Sequence, residues 1–274
     1  MSDDDRDPAG LKAFEDLDFL RRDELRPVRL MLELMKAEML QRDAGIRSTI
    51  VVFGSARIEE PSVARARLDE ARRARDRQPG SSAAEDAVRV AERLVESAAY
   101  YEVAREFGRI VSASCQLDGQ CEYVIVTGGG PGIMEAANRG AHDVGAKSIG
   151  LNIGLPHEQA PNAYITRGLG FNFRYFAIRK MHFMLRAKAL VAFPGGFGTM
   201  DELFEALTLV QTGKVEHLPV ILVGRAFWER VLNVPFLVDE GLIGPEDVRL
   251  FRFAETAEEA WRQIVDYHAE QGQG

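Results

Sequence analysis

Five residues in one short stretch have the types and spacing for chemistry: Gly195, Gly196, Gly198, Thr199 and Glu202, within PGGFGTMDE at residues 194–202. Glycines permit backbone conformations and close approaches that a Cβ would block. If a helix begins here, the unpaired N–H groups of its first turn and its dipole make a site for an anion, phosphate above all. Thr199 adds a hydroxyl donor, and Glu202 lies about one turn inside the helix. A carboxylate beside a bound phosphate is useful only if held just off it, over the sugar for instance, because direct contact would be repulsive. Taken alone, Glu202 also suits an N3 capping acid.

Such a loop needs a strand before it and a helix after it. Residues 189–193, ALVAF, are an apolar run that supplies the strand, and the amphipathic stretch to Leu207 supplies the helix. Similar apolar runs occur at 49–53 (TIVVF), 122–127 (EYVIVT), 147–152 and 219–224 (PVILVG), with a weak last strand in VRLFRFA and a short extended piece near 164–166. Strands apolar on both faces and separated by helices predict a single-domain, Rossmann-like α/β fold, a doubly wound parallel sheet with right-handed crossovers.

Two of these strands run into further small-residue loops. Gly54, Ser55, Ala56 and Arg57 follow the first, where open α/β sheets place ligands, although a tight turn explains them equally well. Gly128, Gly129, Gly130 and Gly132 follow the second. Glu135 stands where the dinucleotide fingerprint needs its third glycine, and no acid ends a following strand to hold a ribose, which disfavours NAD and FAD. A phosphate or nucleoside pocket stays open. In GFNFRYFAIRKMHFMLRAKA, Phe176, Phe183, Met184 and Ala187 form the apolar stripe of a helix. That helix precedes the central strand, so its Arg179 and Lys180 can lie beside the glycine loop and present a cation to its ligand.

The rest of the chain frames this unit. Residues 1–10 read as a disordered acidic tail. Residues 11–48 read as a helical extension with Leu25, Val28, Leu32, Met35 and Met39 at helical spacing, broken by Pro27, that covers the sheet or makes a subunit contact. The main Rossmann-like domain spans 49–270, with a helical insertion at about 60–100 read as two helices, the second opened by a Ser82–Glu85 capping box and continuing through AERLVESAAYYEVAREFGRIVSAS. The many arginines there alternate with acids, which marks a solvated helix face rather than an RNA site. Thr256 and Glu259 cap a final helix.

A formal net charge of -8 argues against nucleic acid and anionic membranes as partners, and 46% hydrophobic residues suffice for a folded core. Cys115 and Cys121 are too few for a disulfide framework and lack zinc-ligand spacing, and the five histidines show no metal pattern, so neither metal nor cofactor is expected. The acidic N-terminus does not read as a secretory signal and no apolar stretch reaches the length of a membrane span, which predicts a cytoplasmic protein.

PGGFGTMDE matches the pattern PGGxGTxxE, and GGGPGIMEAANRGA at 128–141 matches a second signature of the same group. Over approximately residues 49–264 the chain resembles the LOG family, often mislabelled lysine decarboxylase. The resemblance implies hydrolysis of a nucleoside 5′-monophosphate, AMP or a cytokinin riboside monophosphate, to free base and ribose 5-phosphate. It implies that Arg179 and Glu202 are catalytic and that Gly195, Gly196, Gly198 and Thr199 form the phosphate loop, with Lys180 among the binding residues. Gly54, Ser55, Gly129 and Gly130 would line the nucleotide pocket. The chain departs from the family in its lengthened first crossover, its longer helical preface and FAIRK in place of the frequent MHERK. A homodimer or larger homo-oligomer is expected.

Cleaving an N-glycosidic bond develops positive charge on the ribose, which a carboxylate can stabilise, or it can take a proton from the attacking water. Glu202 fits that task. A helix N-terminus favours its ionised form by about 0.3–1 kcal/mol and a nearby phosphate opposes it, so the net shift stays open. For Arg179 three tasks stay open: holding phosphate, holding sugar, or supporting charge on the leaving base. Pyridoxal chemistry needs a Schiff-base lysine with a pyridinium partner, and Lys180 and Lys188 show no such second half. A non-catalytic carrier of a nucleotide or of molybdenum cofactor is the remaining alternative, and Arg179 together with Glu202 favours the enzyme.

Overall fold

The computed structural model describes residues 10–116, 121–154 and 160–271. The expected acidic tail lies outside them but for Gly10, as does most of the turn-rich loop LPHEQAPN. Seven strands, β1 (Thr49–Phe53), β2 (Val124–Thr127), β3 (Ser148–Ile153), β4 (Gly170–Phe173), β5 (Ala187–Ala192), β6 (Val220–Val223) and β7 (Phe251–Ala254), form one sheet ordered β4-β3-β2-β1-β5-β6-β7. Every pairing in it is parallel. Around it run α1 (Leu17–Arg21), α2 (Arg26–Asp43), α3 (Pro61–Arg77), α4 (Ser82–Ser97), α5 (Ala99–Cys115) and α6 (Ile133–Asp143). The set continues with α7 (Phe176–Met184), α8 (Phe197–Gln211), α9 (Arg225–Val231), α10 (Val234–Asp239) and α11 (Ala257–Gln271). None of the described helices is long and apolar enough to cross a membrane.

The apolar runs become central strands because helices cover both of their faces. Ile50 and Val52 pack with Tyr101, Phe107, Ile133 and Ile264 on one side, while Val51 and Phe53 pack with Phe183, Leu203 and Trp228 on the other. Successive side chains leave a strand on opposite faces, so one run of five feeds two cores. The chain starts at β1, winds outward through β2, β3 and β4, then returns to lay β5 on the other side of β1. Between β1 and β5 the winding reverses, and a crevice opens at their carboxyl ends.

Several local features differ from the sequence reading. The piece near 164–166 is not a strand. The strand is β4, whose alternately exposed and buried residues suit an edge, and it pairs with β3 through Leu151 and Phe171. The helix expected from about residue 170 therefore starts only at Phe176, which is itself exposed, and Ala187 belongs to β5. The insertion region gives an α3–α4 hairpin, and α5 is a separate helix. Ser81, not Ser82, caps α4, its hydroxyl accepting from Ala84 N at 3.3 Å. Thr256 does cap α11, accepting from Glu259 N at 3.2 Å.

Pro27 does not break α2, because it sits in the first turn, where a missing N–H costs nothing. The expected stripe of Leu32, Met35 and Met39 faces outward. Inward, α2 braces α7. Glu33 accepts from the N–H groups of Arg174 and Tyr175 at 2.7 and 3.3 Å, and Glu38 forms a two-pronged pair with Arg186 at 2.6 and 2.5 Å. The N-terminal extension thus fixes the helix that carries Arg179.

Candidate active site

Three loops are stitched together above the crevice. Ser55 N donates to Pro194 O at 3.0 Å, and Ile133 N donates to Ser55 O at 3.1 Å, which joins the turns after β1, β2 and β5. A cleft of about 600 Å³ opens beside them. Gly54, Ser55 and Arg57 line it from β1, Gly128 and Met134 from β2 and α6, and Phe176 and Arg179 from α7. The start of α8 supplies Gly196, Gly198, Thr199 and Glu202. Among the described residues no side chain caps α8, whose N-cap is Gly196, so its first-turn N–H groups are available to a ligand there.

Glu202 is 8% exposed, and its Oε1 lies 3.7 Å from Arg179 Nη1, an ion pair too long for a hydrogen bond. Arg179 Nε donates to Leu151 O at 2.7 Å, and its guanidinium stacks 5.0 Å from the centre of the Phe183 ring. These contacts lock the side chain. Burial pushes the Glu202 carboxyl from its ordinary 4.5 up to about 7, against the attraction of Arg179 and Lys180. Burial also lowers the Arg179 pKa, opposed by Glu202 and Asp201. Desolvation is the largest influence on Glu202, and it acts against the ionised form that a helix start favours.

Gly128 is required by this arrangement. A Cβ there would meet Arg179 Nη2 at 2.7 Å and Met134 Sδ at 2.9 Å. Both are ends of flexible side chains, so Gly128→Ala should displace the guanidinium more than it disturbs the fold. We expect a loss in kcat/KM of about tenfold or more, with a stability change within about 1 kcal/mol. Steady-state kinetics beside a thermal melt checks the contrast.

Of the residues expected at the site, Arg179, Glu202, Gly54, Ser55, Gly196, Gly198 and Thr199 line one cleft. The others fall elsewhere. Gly195 opens on a neighbouring cleft of about 750 Å³, and Thr199 Oγ1 fills the space a side chain on it would need. Gly129 holds the left-handed φ of +74° and packs against Asn152, while Gly130 O accepts from Asn162 Nδ2 at 3.0 Å, so both shape the turn. Lys180 stands outside the cleft, paired with Asp201 at 2.9 Å and Glu205 at 3.0 Å. Arg57, Met134 and Phe176 line the cleft without having been expected to. Only Arg57 carried a signal, its place directly after Gly-Ser-Ala at a strand end. Among the described residues no cluster of three or more His, Cys, Asp or Glu could hold a metal.

A family model described as "Possible lysine decarboxylase" matches residues 134–264. The cytokinin riboside 5′-monophosphate phosphoribohydrolase LOG of Oryza sativa subsp. japonica is 30% identical over 178 residues, covering 62% of this chain and 68% of that protein. A cytokinin riboside 5′-monophosphate phosphoribohydrolase of Arabidopsis thaliana is 29% identical over 154 residues, covering 54% of this chain and 68% of its own length. Among solved structures, the Moco carrier protein from Chlamydomonas reinhardtii aligns with 82% of this chain and 99% of its own at a TM-score of 0.47 and 18% identity.

Proposed function

This chain belongs to the LOG family, and on that premise we propose that its cleft hydrolyses the N-glycosidic bond of a nucleoside 5′-monophosphate, AMP or a cytokinin riboside monophosphate, to free base and ribose 5-phosphate. The observation that carries the proposal is the buried Glu202–Arg179 pair set one turn inside an uncapped helix start. We place the phosphate at that helix start, the ribose at Glu202 and the base against the apolar lining, of which Met134 and Phe176 are part. Water adds to C1′ as the C1′–N bond breaks. The base leaves with the bonding pair and takes a proton from solvent, and Glu202 takes the proton of the attacking water and later returns it to solvent, while facing the positive charge that grows on the sugar ring.

The test is chromatography of a panel of nucleoside monophosphates incubated with purified protein. Free base and ribose 5-phosphate in equal amounts are expected, and no base from any substrate overturns the proposal. Nucleotide bound without turnover would favour the carrier reading instead. A cytoplasmic setting goes with the proposal, as both cysteines are free thiols.

Self-association is part of the same proposal. Met31, Leu32, Met35, Met39 and Leu40 leave an apolar face on α2, and beside it Phe176 and Met181 of α7 and Leu185 just after it are exposed. A patch of this kind fits a second copy of the chain. Met35→Lys is expected to shift the protein to monomer in light scattering after size-exclusion chromatography. A protein that is monomeric before the substitution removes this part of the proposal.

A further inference from the structure

Arg57 is a cation at the cleft whose charge is uncommitted among the described residues. Among the described residues its guanidinium has no ion-pair partner, although two acids follow it closely in the chain. Glu59 is paired with Arg67 at 2.8 Å, and Glu60 with Arg139 at 2.8 Å. The other cations nearby are also taken, Arg179 by Glu202 and Leu151 O, and Lys180 by Asp201 and Glu205. Arg57 remains exposed and lines the same cleft as the first turn of α8.

Its backbone is firmly placed. Arg57 N donates to Ser55 Oγ at 3.1 Å, Ser55 is held by Pro194 and Ile133, and Ile58 is buried. A long, free side chain therefore stands on a fixed base next to an anion site.

The charge balance makes that position consequential. A phosphomonoester carries about 1.5 to 2 negative charges near neutral pH, while a helix start offers only about half a positive charge. Glu202 and Asp201 line the cleft too and add negative charge when ionised. We infer that Arg57 closes on the 5′-phosphate of a ligand seated at α8 and is the residue by which the site selects phosphorylated over unphosphorylated ribosides. This inference rests on the cleft being a nucleotide site and assigns phosphate recognition within it to a residue from the β1 loop rather than to Lys180. A guanidinium suits the task because its planar fork matches two phosphate oxygens at once.

The test measures binding of ribose 5-phosphate and of adenosine by calorimetry, and AMP turnover, in the unaltered protein, Arg57→Gln and Arg57→Lys. Because the side chain is exposed and unpaired, both variants should fold. Arg57→Gln is expected to weaken ribose 5-phosphate about ten- to hundredfold and to raise the KM for AMP similarly, the loss falling on KM rather than kcat. Adenosine binding should not change, the salt dependence of ribose 5-phosphate binding should flatten, and Arg57→Lys should recover part of the affinity. Undiminished ribose 5-phosphate binding by Arg57→Gln overturns the inference and leaves the nucleotide reading standing. Equal losses for adenosine and ribose 5-phosphate also overturn it, since they mark Arg57 as support for the loop. An unaltered protein that binds neither ribose 5-phosphate nor AMP removes both the inference and the reading beneath it.

Discussion

Glu202→Gln is expected to lower kcat by at least about a hundredfold, to leave nucleotide binding intact, and to raise the stability of the fold at neutral pH. The amide keeps the shape of the carboxyl but can neither take a proton from water nor oppose positive charge on the ribose. The stability gain follows from the shifted ionisation. Burial moves Glu202 from 4.5 to about 7, so between those values the folded protein holds a proton that the unfolded chain has released. In that window stability falls as pH rises, and above it the ionised carboxylate costs the fold up to about 3 kcal/mol. Glutamine never ionises and escapes the cost. The variant should therefore melt higher than the unaltered protein at pH 8, and the two should converge below about pH 4. Melting curves across that range separate an inactive catalytic variant from a merely damaged one. A variant that loses activity and stability together would assign Glu202 to the structure.

The parts of this site differ in how far the sequence discloses them. TIVVF and the other central strands are legible because burial on both faces demands unbroken apolar runs, and few other elements need them. The glycine turn before α8 is legible for a similar reason, since Pro194, Gly195 and Gly196 break the apolar run directly ahead of a helix start. Arg179 and Lys180 look equivalent in the chain, yet successive helical residues point about 100° apart, and here Arg179 enters the cleft while Lys180 is taken up by Asp201 and Glu205 at its edge. Which of them faces inward depends on how α2 braces α7 through Glu33 and Glu38, contacts made across about 140 residues of chain. The stripe on α2 shows the same limit. Its spacing specifies a helix with an apolar face, but the face turned to the protein is the one with Ala37, Gln41 and two hydrogen-bonding acids. β4 is hidden because four alternating residues merge with the helical pattern that follows them.

Arg179→Met should separate the rate of the reaction from its pH dependence. Methionine keeps much of the packing over Phe183 and removes the charge, which leaves Lys180 as the nearer remaining cation to favour ionised Glu202. The carboxyl, already at about 7, must then titrate higher. If the ionised form is the active one, kcat/KM in the unaltered protein rises with pH through about 7 and levels off above it. In Arg179→Met that rise should move up by about 1 pH unit or more. At pH 7 the ionised fraction alone then lowers the rate several-fold, and losing a fixed donor in the cleft lowers it further, to about a hundredfold in all. Arg179→Lys supplies a charge without the fork that also reaches Leu151 O, so it should restore the position of the rise better than the height of the plateau. A pH–rate profile of the three proteins with AMP checks both features. A lower plateau with an unmoved rise would show that Arg179 acts on the substrate alone, and an upward shift would show that the pair works as a unit in which one buried charge sets the availability of the other.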